Sequence, residues 1–334
     1  MSTRTLRHNE VEPENDVKET MKSNTKSYVH FIAGGVGGLV GAVCTSPLDV
    51  VKTRLQIQST FYQQGIERGI QHNGSIWRHF LETGKLLVQI KQIEGIQGYF
   101  KGLGPNLVGV IPARAINFYT YGNGKRILTK LNQNKETSFV HLASAAIAGI
   151  VTATVTNPIW VVKTRLQLQG KQRLHKNSLD CTKHIFKKEG IKGLFKGMGA
   201  SYLGVIEGAI QWVIYEDLKR KWAHPPNQSE NRLTVGGKSV QAWAGNIAAA
   251  ATAKLVAACI AYPHEVIRTR LREPVPANGV PKYKGLCQSF KTILKEEGAI
   301  VLYGGMSAHL MRVVPNAAIM FFCYEAILNT FGQS

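Results

Sequence analysis

The feature that most constrains this 334-residue chain is a set of motifs that occurs three times in the same order. Each copy begins with a proline that is followed, five residues later, by a base, at Pro47, Pro158 and Pro263. An acid–glycine pair, a motif ending in a second glycine, and a tyrosine motif then follow: Glu94-Gly95, Gly102 and Tyr121; Glu189-Gly190, Gly197 and Tyr215; Glu297-Gly298, Gly305 and Tyr324. Repeats of fixed order indicate similar supersecondary units, so the sequence predicts three of them.

Each unit contains two stretches of about 20 residues, the length that a helix needs to cross the hydrocarbon core of a bilayer. They lie near 31–52, 105–125, 141–163, 199–219, 240–268 and 308–328. None is a purely apolar run, but Gly34, Gly38, Gly37 and Gly41 have the small-xxx-small spacing that lets helices approach closely in lipid. These stretches favour a membrane bundle with polar inner faces over the buried helices of a soluble protein.

The charge distribution supports a membrane protein. The chain has 41 Lys+Arg and 21 Asp+Glu, a net charge of +20, and most of the excess lies between the two spans of each unit. Basic loops are typical of the side where positive charge is retained and anionic lipid lies. A nucleic-acid interface would need a groove-entering helix or an aromatic stacking platform, and the sequence offers neither, so we expect no nucleic-acid partner.

The sequence does not favour an enzyme. It has no glycine-rich phosphate loop after a strand, no metal-ligand cluster and no visible pair of nucleophile and base. Its five cysteines are scattered and lack CxxC spacing, which argues against a disulfide framework and against a zinc site. We therefore expect no cofactor and no metal.

The threefold motifs resemble the mitochondrial carrier family over almost the whole chain, from about Tyr28 onward. The resemblance implies an all-α protein of the mitochondrial inner membrane. Six transmembrane helices, two per pseudo-symmetric repeat, would surround a cavity, with short helices on the matrix side. We divide the chain into a polar acidic tail, whose acids argue against a cleavable presequence, and three repeats: 1–27, 28–133, 134–230 and 231–334. Residues 59–79 are expected to form an extra loop and 224–238 a polar linker.

The resemblance implies a matrix gate, formed by Asp49, Lys52, Trp160, Lys163, Glu265 and Arg268. The acid in the first helix of one repeat is expected to pair with the base in the first helix of another, so Asp49 pairs with Lys163, and Glu265 with Lys52. The pairs would close the cavity toward the matrix.

The third pair of the matrix gate lacks its acid, because Trp160 stands in the acid position. Arg268 is therefore expected to face the indole through a cation–π contact of about 1–2 kcal/mol. Gln56 and Gln167 are expected to brace the ion pairs, whereas Arg272 replaces the glutamine in the third repeat.

The tyrosine motifs imply a second, cytoplasmic gate. Its expected pairs are Lys125 with Glu216 and Lys219 with Glu325. In the third pair, Gly122 and Leu328 have both lost their charge. Losing both partners leaves no unpaired charge near lipid, which supports the pairing.

The substrate site is predicted from broken symmetry, because a small substrate has no threefold axis. Polar residues that do not repeat are the candidates for binding: Arg114, Asn117, Glu207, Gln211, Lys254 and Arg312. Gly204 is assigned to the same site. A charge at mid-membrane depth costs at least about 2.5 kcal/mol and usually has a function. Three cations and one acid indicate an anionic substrate, and paired arginines suit phosphate. Alternatively, Arg114 and Lys254 reach lipid headgroups, and Glu207 only pairs with an arginine.

Further resemblance narrows the substrate. Trp160 resembles the subgroup that carries nucleotides, folate, flavin or NAD. Residues 104–116, 261–273 and 315–320 look most like the mitochondrial pyrimidine nucleotide carriers. The resemblance implies an antiporter that exchanges pyrimidine nucleoside di- and triphosphates by alternating access, as a monomer in contact with inner-membrane lipid such as cardiolipin. The alternative is a carrier of NAD, flavin or folate.

Overall fold

A computed structural model describes residues 34–57, 76–170, 174–222, 234–235, 238–276 and 280–331. Within these ranges the chain is almost entirely helical. The helices are α1 (Gly34–Cys44), α2 (Ser46–Leu55), α3 (Ile76–Glu94), α4 (Leu103–Leu131), α5 (Ser138–Gln167), α6 (Ser178–Leu194), α7 (Met198–Trp222), α8 (Val240–Leu271), α9 (Leu286–Glu296) and α10 (Met306–Phe331). Single 3-10 turns at Ile96–Phe100 and Ala299–Tyr303 precede α4 and α10.

The strands in the described residues are β1 (Thr234–Val235) and β2 (Lys238–Ser239), which pair antiparallel. They lie at the end of the expected polar linker 224–238, and the other regular elements of the described residues are helices, as expected of an all-α protein. Residues 76–79 of the expected loop 59–79 belong to α3, because the helical spacing of Ile76, Phe80 and Thr83 starts there. Residues 59–75, the tail and most of the linker lie outside the described residues.

The long helices follow the spans predicted from the sequence. Helices α4, α5, α7, α8 and α10 have 25 to 32 residues, which at 1.5 Å per residue is enough to cross a hydrocarbon core. Among the described residues, α5 alone is apolar enough by composition to count as a span, and α1 with α2 passes jointly. Arg114, Lys254 and Arg312 are charged residues within the long helices α4, α8 and α10.

The described residues form two compact units, one of 34–45 with 313–331 and one of those between 46 and 312. In the first unit, α1 packs closely on the middle of α10. A Cβ on Gly37 would lie 2.9 Å from the Met320 carbonyl oxygen, and one on Gly41 would lie 2.7 Å from Asn316 Oδ1. The Gly37–Gly41 spacing therefore allows the close approach expected of it, whereas Gly34 has nothing within 4 Å.

In the second unit, small apolar clusters join the end of the first helix of each repeat to the short helix that follows. Each cluster contains one or both of the two aliphatic residues that follow the gate acid or its substitute. The buried members are Val50, Val51, Leu55, Ile90 and Ala308; Val161, Val162, Cys181 and Ile185; and Ile267, Tyr283, Ile293, Val301 and Leu302. The short helices α3, α6 and α9 are thus fixed to the helices that carry the gate.

The second glycine of each repeat begins the repeat's second helix. Gly102, Gly197 and Gly305 have φ of 78°, 73° and 78°, a region that residues with a Cβ rarely adopt. They also lie against the backbone of another repeat. A Cβ on Gly102 would be 2.9 Å from the Lys163 carbonyl oxygen, and one on Gly305 would be 2.8 Å from that of Lys52. Both the backbone conformation and the lack of space require glycine.

Substituting Gly102 therefore tests this packing. We expect Gly102→Ala to lower the free energy of unfolding by at least about 2 kcal/mol. A residue with a Cβ is strained in the left-handed conformation, and the added Cβ would collide with the carbonyl oxygen of Lys163. Gly84, inside α3, has nothing within 4 Å of its added Cβ. Gly84→Ala should gain up to about 1 kcal/mol from helix propensity. Thermal unfolding of the purified protein in detergent measures both; equal effects would contradict the prediction.

Candidate functional site

Three buried arginines, Arg54, Arg165 and Arg270, form what we name the arginine ring. Each lies two residues after the base of a gate motif, and their side chains are 4%, 3% and 0% exposed. In each repeat the guanidinium binds the acid of the acid–glycine motif through both terminal nitrogens. Arg54 binds Glu94 at 2.6 and 2.9 Å, and Arg165 binds Glu189 at 2.6 and 2.8 Å. Arg270 holds Glu297 in the same way.

The remaining nitrogen of each arginine joins its repeat to another. Nε of Arg54 donates to the carbonyl oxygen of Gln167 at 3.0 Å. The Nε atoms of Arg165 and Arg270 donate to the carbonyl oxygens of Arg272 and Gln56, at 3.1 and 3.0 Å. The first repeat thus binds the second, the second binds the third, and the third binds the first.

The arginine ring was not predicted from the sequence. Its signal was present, since an arginine and an acid–glycine pair recur at the same place in every repeat. Charged groups that repeat and lie outside the gate positions could have been paired within one repeat, as the gate charges were paired between repeats.

The acids of the arginine ring have a second donor. Lys101 binds Glu94 at 2.6 Å and Lys196 binds Glu189 at 2.7 Å. Burial raises the pKa of Glu94 and Glu189, but the hydrogen bonds from arginine and lysine outweigh burial and hold each pKa below the ordinary glutamate value. Both carboxylates are therefore charged at neutral pH.

The third repeat has Gly304 in place of that lysine, and a tyrosine takes over. The Tyr283 hydroxyl donates to Glu297 at 3.2 Å and accepts from Arg270 at 2.7 Å. Burial again raises the pKa of Glu297, and the bond from Arg270 brings it below its ordinary value.

Both ion pairs expected of the matrix gate are present. Lys163 Nζ lies 2.6 Å from Asp49 Oδ2, and Lys52 Nζ lies 2.6 Å from Glu265 Oε2. The four side chains are 10% to 15% exposed, so the pairs are largely desolvated. Desolvated pairs cost several kcal/mol to break when one partner is left alone, which is the property a closed gate requires.

The two predicted braces differ in what they contact. Gln167 donates to Asp49 Oδ2 at 2.9 Å and accepts from Thr53 at 2.8 Å. Gln56 accepts from Thr269 at 2.6 Å and donates to the Tyr262 hydroxyl at 3.2 Å. Gln167 therefore contacts its ion pair directly, whereas Gln56 bonds to residues beside the other pair.

The expected contact between Arg268 and the Trp160 indole is wrong in this conformation. The cation over the indole is Lys163, with Nζ 5.4 Å from the ring centroid. Arg268 instead contacts Glu265 at 3.3 Å. Trp160 and Arg268 thus each contact a residue three positions away on their own helix.

Arg272 replaces the brace glutamine with an anchor between repeats. Its Nη2 donates to Asn157 Oδ1 at 2.8 Å and to Ser201 Oγ at 3.1 Å. The side chain therefore lies in the interface with the second repeat.

The predicted substrate residues fall into separate groups. Arg312 donates to Asp49 and so joins the matrix gate. Lys254 pairs with Glu207 at 2.7 Å, so the partner of Glu207 is a lysine and not the arginine considered as an alternative. Arg114 is exposed, and Asn117 and Gln211 are partly buried. A Cβ on Gly204 would lie 3.2 Å from His264 Nε2, so this glycine makes room for an imidazole.

The expected Lys125–Glu216 pair of the cytoplasmic gate is not formed. Lys125 binds Glu136 at 2.9 Å, because Glu136 lies in the short connection between α4 and α5 and is within its reach. That hydrogen bond lowers the pKa of the Glu136 carboxyl. Lys219 Nζ lies 5.6 Å from the Tyr215 ring centroid. The side chain of Glu325 lies outside the described residues.

The matrix gate thus carries more positive than negative charge. Four cations, Lys52, Lys163, Arg268 and Arg312, share the two acids Asp49 and Glu265. Such a surplus attracts anions. In the described part of the chain, no group of three or more His, Cys, Asp or Glu residues could hold a metal ion.

One family of known proteins matches this chain in three separate segments. The profile of the family described as "Mitochondrial carrier protein" matches residues 23–132, 134–225 and 239–334. "Mitochondrial carrier protein rim2" of Schizosaccharomyces pombe is 49% identical over 91% of this chain and 90% of its own. "Mitochondrial pyrimidine nucleotide transporter RIM2" of Saccharomyces cerevisiae is 47% identical over 91% and 86%. "Solute carrier family 25 member 36" of Gallus gallus is 44% identical over 92% and 98%.

The arginine ring yields a pH-dependent prediction. We expect Glu189→Gln to lower the free energy of unfolding at pH 7 by about 3–5 kcal/mol, because it leaves the buried Arg165 without an anionic partner. A carboxyl with a lowered pKa stabilises the folded state above its unfolded pKa, about 4.3, and loses that effect as pH falls through the folded pKa. The difference in the free energy of unfolding between Glu189→Gln and the natural protein should therefore shrink below about pH 4.3. Asp217→Asn, which removes an exposed ion pair with Lys221, is the control and should change little. A deficit that is constant with pH would refute the assignment.

Proposed function

Because the chain belongs to the mitochondrial carrier family, we propose that it is an inner-membrane antiporter that exchanges pyrimidine nucleoside di- and triphosphates by alternating access. One feature of the molecule carries this function: the ion pairs of the matrix gate are made, while Lys125 of the cytoplasmic gate is bound elsewhere. The name of the Saccharomyces cerevisiae relative, 47% identical, favours pyrimidine nucleotides over the alternative of NAD, flavin or folate.

The proposed layout has six spans in three repeats. The spans are α1 with α2, α4, α5, α7, α8 and α10, and the repeats are 28–133, 134–230 and 231–334 after the tail 1–27. Three separate profile matches and the lengths of the helices support it. In this layout α3, α6 and α9 lie on the matrix side, where their basic surroundings would meet anionic inner-membrane lipid such as cardiolipin. We propose a monomer, in which each gate is completed within one chain.

Alternating access follows from the energetics of two gates. Opening the matrix gate breaks two desolvated ion pairs, so bound substrate has to compensate by favouring the open state. Closing the cytoplasmic gate would form Lys125–Glu216 and Lys219–Glu325, which regains part of that cost. Lys125 must first leave Glu136, whose side chain is 54% exposed, so this contact is weak.

The phosphates of a nucleotide would bind to the cations Arg114 and Arg312. Arg114 is exposed, and Arg312 shares Asp49 with Lys163. A phosphate binds arginine through two charge-assisted hydrogen bonds and can compete with Asp49 for Arg312. Withdrawing Arg312 would remove one donor from Asp49 and weaken the matrix gate. Substrate binding and gate opening are thereby linked through a single side chain.

The base would be recognised near Glu207. This acid is 16% exposed and bound to Lys254, which is 39% exposed. A carboxylate accepts the amino or imide proton of a pyrimidine and repels phosphate. Asn117 and Gln211 are the further polar candidates on α4 and α7. Such a site discriminates because the wrong base leaves its polar groups unpaired.

The first test of this function is transport by Arg114→Ala. Purified protein in liposomes, loaded with one nucleotide and given a panel of others, should exchange pyrimidine di- and triphosphates faster than purine nucleotides, NAD, flavin or folate. Arg114→Ala should abolish the exchange while the protein stays folded. Arg126→Ala, on the same helix and exposed, bonds only locally to Asn123 in the described structure and is the matched control. Normal exchange by Arg114→Ala would remove this residue from the site.

The second test concerns the base. We expect Glu207→Gln to blur the preference between cytosine, uracil and purine bases, because the amide adds donors where only acceptors were present. The rate with the best substrate should fall less than in Arg114→Ala. Competition by each nucleotide against a labelled one measures this preference. If Glu207→Gln and Lys254→Gln both lower all rates equally and leave the order of competition unchanged, the pair is structural only.

A further inference from the structure

A histidine occupies a position that the other two repeats fill with residues that do not titrate. Asn106, Ser201 and His309 each come four residues after a positive-φ glycine: Gly102, Gly197 and Gly305. In each case the backbone N–H donates to the carbonyl oxygen of that glycine, at 3.2, 3.0 and 3.0 Å. The three residues are therefore equivalent in structure as well as in sequence.

The side chains at this position accept hydrogen bonds from cations at or beside the gate. Asn106 Oδ1 accepts from Lys163 Nζ at 3.0 Å. Lys52 Nζ lies 2.9 Å from His309 Nδ1. Lys163 and Lys52 are the bases of the two ion pairs of the matrix gate. Ser201 Oγ accepts from Arg272.

The chemistry of Lys52 determines the protonation state of His309. An ammonium group has three donors and no acceptor, so Nδ1 must accept and must carry no proton. The amide at Asn106 accepts at every pH, whereas an imidazole titrates in the physiological range. A proton on His309 Nδ1 would remove the hydrogen bond and bring two positive charges within 2.9 Å of each other.

The surroundings of His309 do not offset a second charge. From α8, the Tyr262 ring lies with its centroid 5.9 Å away, and Glu265 and Lys254 act on the imidazole by charge. Arg312 does so from the imidazole's own helix, and Lys52 from α2. The acid in this set, Glu265, already pairs with Lys52 and Arg268. A protonated His309 would be the third cation to share the carboxylate of Glu265.

We propose that His309 is a proton-binding site of the matrix gate, which holds the gate shut when it is neutral and weakens it when it is protonated. This inference rests on the proposed function, since it assumes that the gate opens. Opening would separate the imidazole from Lys52 and leave Nδ1 free to bind a proton. Because one proton is taken up on opening, the ratio of open to closed gate should rise by up to about tenfold for each unit by which the pH falls.

Two exchanges of residues between equivalent positions test the proposal. His309→Asn gives the third repeat the acceptor of the first, and Asn106→His gives the first repeat the histidine of the third. Thermal unfolding in detergent is measured from pH 8 to pH 5.5 for both variants and the natural protein. We expect the natural protein to lose stability relative to His309→Asn as pH falls. Asn106→His should steepen the loss, because both gate lysines then face an imidazole.

The same variants in liposomes extend the test to transport. Nucleotide exchange should accelerate as pH falls in the natural protein, relative to its own rate at pH 8, and this acceleration should be absent in His309→Asn. If exchange is not observed with any nucleotide, the proposed function fails, but the unfolding measurement still decides the role of His309. Equal pH dependence of stability in the natural protein and His309→Asn would overturn the proposal. His309→Gln, also a neutral acceptor, takes the place of His309→Asn if the latter does not fold.

Discussion

The hydrogen bonds of the arginine ring are the interaction on which the rest of the described structure depends. Each of Arg54, Arg165 and Arg270 binds an acid in its own repeat and a main-chain carbonyl in another. A buried guanidinium is costly unless its donors are used, and here Nε and both terminal nitrogens are occupied. The ring therefore fixes the short helices to the gate helices and fixes each repeat to the next. The gate bases lie only two residues before the ring, so their position follows from it.

Sequence symmetry predicted which residues are equivalent, and this was sufficient for much of the architecture. The long helices and the pairs Asp49–Lys163 and Glu265–Lys52 follow from it because the spacing of a motif fixes which face of a helix it occupies. Symmetry could not predict which of several nearby partners a long side chain selects. Arg268 pairs with Glu265 on its own helix, and Lys125 pairs with Glu136 in the connection between α4 and α5. Such choices depend on distances of a few ångströms that no repeat pattern contains.

Three departures from symmetry lie at and beside the matrix gate, and each of them adds positive charge or removes negative charge there. Trp160 removes an acid, Arg272 replaces a neutral brace, and His309 adds a group that can become positive. Surplus positive charge weakens the closed gate, because cations must share the remaining carboxylates. The same surplus favours an anionic substrate, which can supply the missing negative charge. A threefold gate with three complete pairs would be more stable when closed and would offer a phosphate less to bind.

The choice between arginine and lysine separates the permanent from the changeable contacts. The arginine ring uses a rigid planar fork, which binds a carboxylate through two bonds and loses little when it is held in one geometry. The two complete pairs of the matrix gate instead use Lys52 and Lys163, whose ammonium groups are point charges with freely rotating donors. A lysine can exchange one acceptor for another without realigning a plane. In the proposed transport cycle, the contacts that must be remade are thus made by the cation that reorients most easily. The arginine two residues away keeps its contacts throughout that cycle.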